Sequence, residues 1–189
     1  MLVESAAVIC LLVAFVALLA PTLDNPLLEK DSFRQTQTAY TALVFHDDGI
    51  DLLHPRVPVL GEPFEIVFEF PLFQASASLL MDLGLASDTA MRVLGLICFL
   101  ATALLLFGLV RHVAGRTAAF GSLAAFMVTP FALVWSRTSM IEYLATAGAV
   151  GFTWAFVAWR DSRRPSVAAL CLVAGLVGML VNRRPRSSG

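Results

Sequence analysis

Charge is scarce in this chain. Asp, Glu, Lys and Arg make up 14% of its 189 residues, against roughly 25% in an ordinary soluble domain, and the mean hydropathy is +0.80. That argues against a solvated globular domain and predicts an integral membrane protein. Cysteine is also sparse. Cys10, Cys98 and Cys171 all lie in apolar runs, where a small soft side chain packs without chemistry, and their spacing gives neither a disulfide framework nor a metal-binding pattern. The opening residues MLVES contain no Lys or Arg, and no clean small-x-small cleavage site follows. The first apolar run therefore predicts an uncleaved anchor rather than a removable secretory signal.

The fold class expected is all-α and membrane-embedded. A spanning helix needs about 20 mostly apolar residues, and five segments qualify: 5–23, 90–110, 117–135, 139–159 and 166–181. Arg111, His112 and Arg116 fall between the second and third, and Arg160, Arg163 and Arg164 between the fourth and fifth. Basic residues are retained on the cytoplasmic side, so those turns and the N-terminus are expected inside. The loop 24–89 and the short turn from Ser136 to Ser139 are then expected outside. Apart from Glu142, the span interiors are expected to carry no buried charge, which argues against a transport pathway. Small residues such as Ala145 with Ala149 and Gly148 with Gly151 predict close helix packing, and Pro130 predicts a kink in the third span. The tail 182–189, NRRPRSSG, is basic where the orientation rule expects an outer end; either the frame alters after about Val181 or the last segment does not cross.

The outer loop is acidic. Between Asp24 and Glu69 it carries nine carboxylates against Lys30, Arg34 and Arg56, so nucleic acid is not an expected partner. Within it the stretch KDSFRQTQTAYTAL (30–43) predicts an interfacial helix that starts at Asp31 and stops at Gly49, with Phe33, Tyr40 and Val44 on one face and Gln35, Thr38 and Thr41 on the other. A second, short surface or re-entrant helix is predicted over 72–84, with Pro71 in its first turn. His46, Asp47, Asp48, Asp51 and His54 match no specific metal-site pattern and read as a solvated loop; no metal and no cofactor are expected.

Two carboxylates, Asp31 and Glu142, and two guanidiniums, Arg34 and Arg137, are thus expected at one membrane surface. A positioned carboxylate can act as general base, and guanidinium holds phosphate oxygens in a fork. The plainer readings are an N-cap for Asp31 and interfacial anchoring for Glu142 with a snorkelling Arg137.

At these residues the chain resembles the GT-C glycosyltransferases that use polyprenyl-phosphate sugars, in the protein O-mannosyltransferase and aminoarabinose transferase superfamily, and especially its bacterial lipopolysaccharide-core transferases. The likeness is an order of features covering nearly all of the chain to about Val181: a first span, Asp31 and Arg34 within DSFRQTQTA, a Glu-x-Pro element at Glu69, Phe70 and Pro71, then two spans and SRTSMIE leading to Glu142. The resemblance implies that Asp31 is the catalytic base, that Arg34 holds phosphate, and that Glu142, the second catalytic residue, orients the acceptor or supports the base; Gln35, Glu69 and Arg137 join Arg34 in the substrate-binding set. The implied partners are a polyprenyl-phosphate-linked sugar donor and a lipid, glycan or protein acceptor in the cell envelope, with transfer by inversion. Ser32 stands where many relatives have Glu, and Phe70 where many have a phosphate-contacting Lys, which moves the electrostatic load to Arg34 and Arg137. Family members are longer, so the chain is expected to be an N-terminal portion of a transferase. The alternative is a non-catalytic membrane protein whose acidic outer loop binds a partner.

Overall fold

The computed structural model describes residues 2–27, 31–57 and 69–181, and among them regular structure is entirely helical. The basic tail 182–189, and part of the proline-containing stretch between the two outer-loop helices, lie outside the described residues.

Helix α1 spans Leu2–Leu19 and runs on into a single 3-10 turn, Ala20–Thr22. Pro21 removes the amide that a further α-turn would need, and the Thr22 hydroxyl donates to the Leu19 carbonyl at 2.7 Å. In the stretch 24–89 lie α2 (Ser32–Asp48) and α3 (Leu72–Asp82), at the positions expected. Gly49 ends α2 with φ at +97°, its amide bonded to the Phe45 carbonyl, a conformation that costs glycine least. The remaining helices are α4 (Ser87–Ala114), α5 (Arg116–Val128), α6 (Pro130–Trp135), α7 (Glu142–Ser162) and α8 (Pro165–Val181).

Two of the five expected spans meet the length and hydropathy of a membrane crossing, Glu4–Thr22 and Ser87–Ala114. Helices α5 and α8 are apolar but shorter, at 13 and 17 residues. The third expected span, 117–135, is not one helix. Proline disfavours the helical conformation in the residue before it, and Thr129 is accordingly extended at ψ 142°. Its hydroxyl then accepts the Ala132 amide at 3.1 Å and caps α6, so the expected kink is a full break.

Side-chain contacts fix the relative directions of the long helices. Glu4 meets Arg111 while Phe15 stacks on Phe99, so α1 and α4 are antiparallel. Phe107 meets Phe120 and Phe99 meets Phe126, so α5 turns back along α4. Gly95 lies against Thr138 and Gly108 against Trp154, so α7 runs parallel to α4. Gly148 lies against Gly178 and Gly151 against Ala174, so α8 returns along α7. At the centre the fully buried Phe99 ring is stacked between Phe15 and Phe126, with Tyr143 edge-on at 5.0 Å. Aromatic pairs of this kind contribute about 0.5 to 1.5 kcal/mol beyond their area.

The α7–α8 seam depends on small residues, as expected, but the partner of Gly148 is across the interface. A Cβ on Gly148 would lie 2.5 Å from the Gly178 nitrogen. The outer face of α8 stays uncovered: Leu170, Leu172, Val173, Leu176 and Met179 are all more than half exposed. Gly148→Ala is expected to lower unfolding stability in detergent by about 1 to 3 kcal/mol through overpacking against backbone. By contrast Gly121→Ala, a helical position with nothing within 4 Å, is expected to raise it by about 0.5 to 1 kcal/mol. Thermal unfolding of the two variants side by side checks the contrast.

Candidate functional site

The site is built where the segment after α1, the start of α2, the approach to α3 and the turn before α7 converge at one end of the bundle. Its foundation is Arg92, in the second turn of α4, whose side chain is fully buried. Its Nε donates to the Asn25 carbonyl at 2.8 Å, Nη2 to the Pro26 carbonyl at 2.8 Å and Nη1 to the Arg137 carbonyl at 3.0 Å. The rigid guanidinium fork suits several acceptors at once, and carbonyls in irregular buried backbone need such donors. One turn along the same face, Gly95 lets the backbone of residues 136–138 come close: a Cβ there would lie 2.5 Å from the Thr138 carbonyl.

This overturns the expectation that Glu142 is the only charge inside the spans. Besides Arg92, Glu4 in α1 is buried against the Arg111 guanidinium, Oε1 to Nε 3.1 Å, at the far end of the bundle. The signal in the sequence was an arginine two residues inside an apolar run, a place where insertion scales penalise charge and function or structure must compensate.

The turn expected to face outward, Ser136 to Ser139, is buried. It is locked to α2 by Gln35, which has no exposed surface. The Ser139 amide donates to Gln35 Oε1 at 3.2 Å, and the Ser139 hydroxyl donates to the Gln35 carbonyl at 3.1 Å. Helix α2 therefore turns its polar face inward: Gln35, Thr38 and Thr41 are buried with Ala42 and Phe45, while Phe33 and Tyr40 are exposed. Gln35 thus serves the scaffold directly.

With Ser139 held, Glu142 is delivered to the first turn of α2. Arg34 lies between two carboxylates, Nη2 at 3.4 Å from Glu69 Oε2 and Nη1 at 3.7 Å from Glu142 Oε1. Glu69 also accepts from Gln74 Nε2 at 3.0 Å, so α3 joins the cluster. Glu142 Oε2 is buried and has no hydrogen-bond partner among the described residues. Arg34 itself is half exposed, so screening keeps these ion pairs modest and leaves the guanidinium able to exchange partners. Burial pushes the Glu69 carboxyl above its ordinary range and the nearby Glu142 adds to the shift, while Arg34 and Gln74 oppose it.

Asp31 stands at the N-terminal end of α2 but does not cap it. Its backbone is left-handed, φ 61° and ψ 30°, and its side chain makes no capping hydrogen bond. A cap residue ordinarily has extended backbone with its side-chain oxygen on an amide of the first turn, so the capping role read from the sequence does not hold. Holding a non-glycine residue left-handed costs of order 1 kcal/mol, least for Asp and Asn. Asp31 is exposed one turn before Arg34. Arg137 contributes its carbonyl to Arg92. The structure thus brings together Arg34, Glu69 and Glu142, with Asp31 on the adjacent turn and Gln35 beneath them. The residues that sequence reasoning missed are Arg92, Gln74 and Ser139.

Away from this cluster the loop charges pair locally: His46 with Asp82 at 2.6 Å, His54 with Asp51 at 3.1 Å and Arg56 with Asp48 at 3.0 Å. Among the described residues no three His, Cys, Asp or Glu side chains converge as a metal-holding group. No protein-family model, curated protein or solved structure matches the chain.

The Glu69 shift has a pH consequence with a definite sign. A carboxyl whose folded-state pKa is raised binds its proton more tightly folded than unfolded. Its stabilising contribution is complete below the ordinary Glu value and is lost as pH rises through the folded-state value. Glu69→Gln keeps an oxygen for Gln74 and is expected to flatten the stability profile over the range that begins at the ordinary Glu value and extends above it. Thermal unfolding in detergent across that range checks this; a variant profile parallel to the parent would rule it out.

Proposed function

We propose that the chain is a membrane glycosyltransferase module that moves a sugar from a polyprenyl-phosphate donor to an extracytoplasmic acceptor. The observation that supports it most is the convergence of Arg34, Glu69 and Glu142, from segments far apart in sequence, beside an Asp31 carboxylate not spent on capping.

The membrane setting rests on two helices long and apolar enough to cross and on the uncovered apolar face of α8. The alternating helix directions place Arg111, Arg116, Arg160, Arg163 and Arg164 at one end and the candidate site at the other. By retention of basic residues inside, the site faces outward, with α1, α4, the α5–α6 pair, α7 and α8 as the five membrane segments.

In this reading the Asp31 carboxylate takes the proton of an acceptor hydroxyl. The acceptor oxygen attacks the anomeric carbon, and the carbon–oxygen bond to phosphate breaks with inversion. The polyprenyl phosphate departs with the bonding electrons. Arg34 exchanges one of its glutamate partners for the phosphate oxygens, which accept a guanidinium bidentately, and the unpartnered Glu142 Oε2 receives a hydrogen bond from the acceptor. Arg137 adds positive charge on the same side.

Asp31→Asn tests the assignment without disturbing the backbone, because Asn tolerates the left-handed region at least as well as Asp. Membranes containing the full chain are supplied with polyprenyl-phosphate sugars, and release of polyprenyl phosphate is measured. Loss of the base is expected to slow release by about 10² to 10⁴-fold with membrane insertion unchanged. Undiminished release from the variant would refute the assignment, and absence of release from the parent chain with every donor would favour the partner-binding loop.

A further inference from the structure

The opposite end of the bundle holds a groove that sugar transfer does not use. Between α4 and α7 lies a cavity of about 420 Å³ lined by Leu104, Phe107, Gly108, Arg111, His112 and Trp154, within the roughly 300 to 1,000 Å³ typical of ligand pockets. Gly108 makes it possible: a Cβ there would lie 2.5 Å from the Trp154 ring, so the indole rests on the α4 backbone and forms an apolar wall.

The lining is graded along α4. Leu104, Phe107 and Trp154 supply the apolar part, and one turn further on Arg111 and His112 supply a basic mouth. Arg111 turns its Nε to Glu4, at 3.1 Å, and its side chain stays 48% exposed; His112 Nε2 sits 2.8 Å from Asp161 Oδ2, and Arg160 faces the same carboxylate at 3.4 Å. Among the described residues at this end, Arg111, Arg116, Arg160, Arg163 and Arg164 stand against the two carboxylates Glu4 and Asp161. The surplus is positive. Helix α4 has 28 residues, about 42 Å at 1.5 Å per residue, against a hydrocarbon core of about 30 Å. Its last turns therefore reach the headgroup layer while Leu104 remains at acyl-chain depth.

We propose that this groove binds an anionic phospholipid, with the phosphate on Arg111 and His112 and one acyl chain against Leu104, Phe107 and Trp154. The argument is charge complementarity joined to an apolar slot at the matching depth. A zwitterionic lipid offers the chain without the net charge, and free phosphate the charge without the chain. The proposal requires α4 to cross the membrane and is independent of any sugar transfer.

The test uses the full chain in neutral detergent micelles, titrated with phosphatidylglycerol, phosphatidylcholine or inorganic phosphate, with bound lipid counted by native mass spectrometry. Phosphatidylglycerol is expected to bind about fivefold or more tightly than phosphatidylcholine, and inorganic phosphate not to displace it, as one basic side chain near a membrane surface accounts for roughly that factor. The double variant Glu4→Gln/Arg111→Gln removes the cation without leaving the buried Glu4 carboxylate alone, and should erase the preference. Leu104→Trp, which fills the apolar part and keeps the charges, should weaken both lipids. Equal binding of the two lipids by the parent chain, a preference untouched in the double variant, or lipid binding undiminished in Leu104→Trp would overturn the proposal.

Discussion

One buried guanidinium organises the end of the bundle that carries the candidate site. Arg92 is paired with backbone carbonyls from two stretches of irregular chain, one leading out of α1 and one leading into α7. Irregular backbone away from water is tolerated only where its polar groups find partners. By filling that need from a rigid helix, Arg92 fixes where α2 begins and where α7 begins. The Gln35–Ser139 bonds and the Arg34–Glu142 pair then follow at short range. A lysine could not replace it, because a single ammonium lacks the planar fork that reaches carbonyls on separate segments.

The cluster that results is unusual in its balance of charge. Arg34 is shared by Glu69 and Glu142, with Asp31 a turn away. Acid exceeds base in number, and burial offsets part of that excess by raising the proton affinity of Glu69. Such a cluster is poorly suited to holding an anion at rest, yet it offers proton-accepting groups and one cation loosely enough bound to be redirected. Polyprenyl-phosphate chemistry needs that combination: a base for the incoming hydroxyl and a charge that moves to the departing phosphate.

Helix positions were largely legible in the sequence because they rest on local signals. Gly49, Pro71 and the apolar periods marked α2, α3 and the long helices. Helix orientation was less legible. The polar face of α2 was readable as polar, but only the bonds to Ser139 show that it points inward. Thr129 was readable as the residue before a proline, whereas the complete break also depends on its hydroxyl capping α6. Asp31 shows the limit most clearly: its residue type and position promise a cap, and the left-handed backbone denies it. Arg92 was visible as a charge in an apolar run, but its carbonyl partners lie 45 to 67 residues away along the chain.

The Gln35–Ser139 contact joins residues 104 positions apart, and this has a consequence for assembly. The α7–α8 hairpin closes through neighbours in sequence, and short closures cost little chain entropy and form early. The Arg34 cluster must wait until the chain has emerged past Glu142, since nothing before that residue supplies the turn on which Gln35 is anchored. Until then Gln35 lacks its Ser139 partner, while α3 and α4, against which α2 also packs, are already made. Assembly of the cluster is thereby deferred until the neighbouring helices are in place, so that chain growth itself acts as a timer on the site.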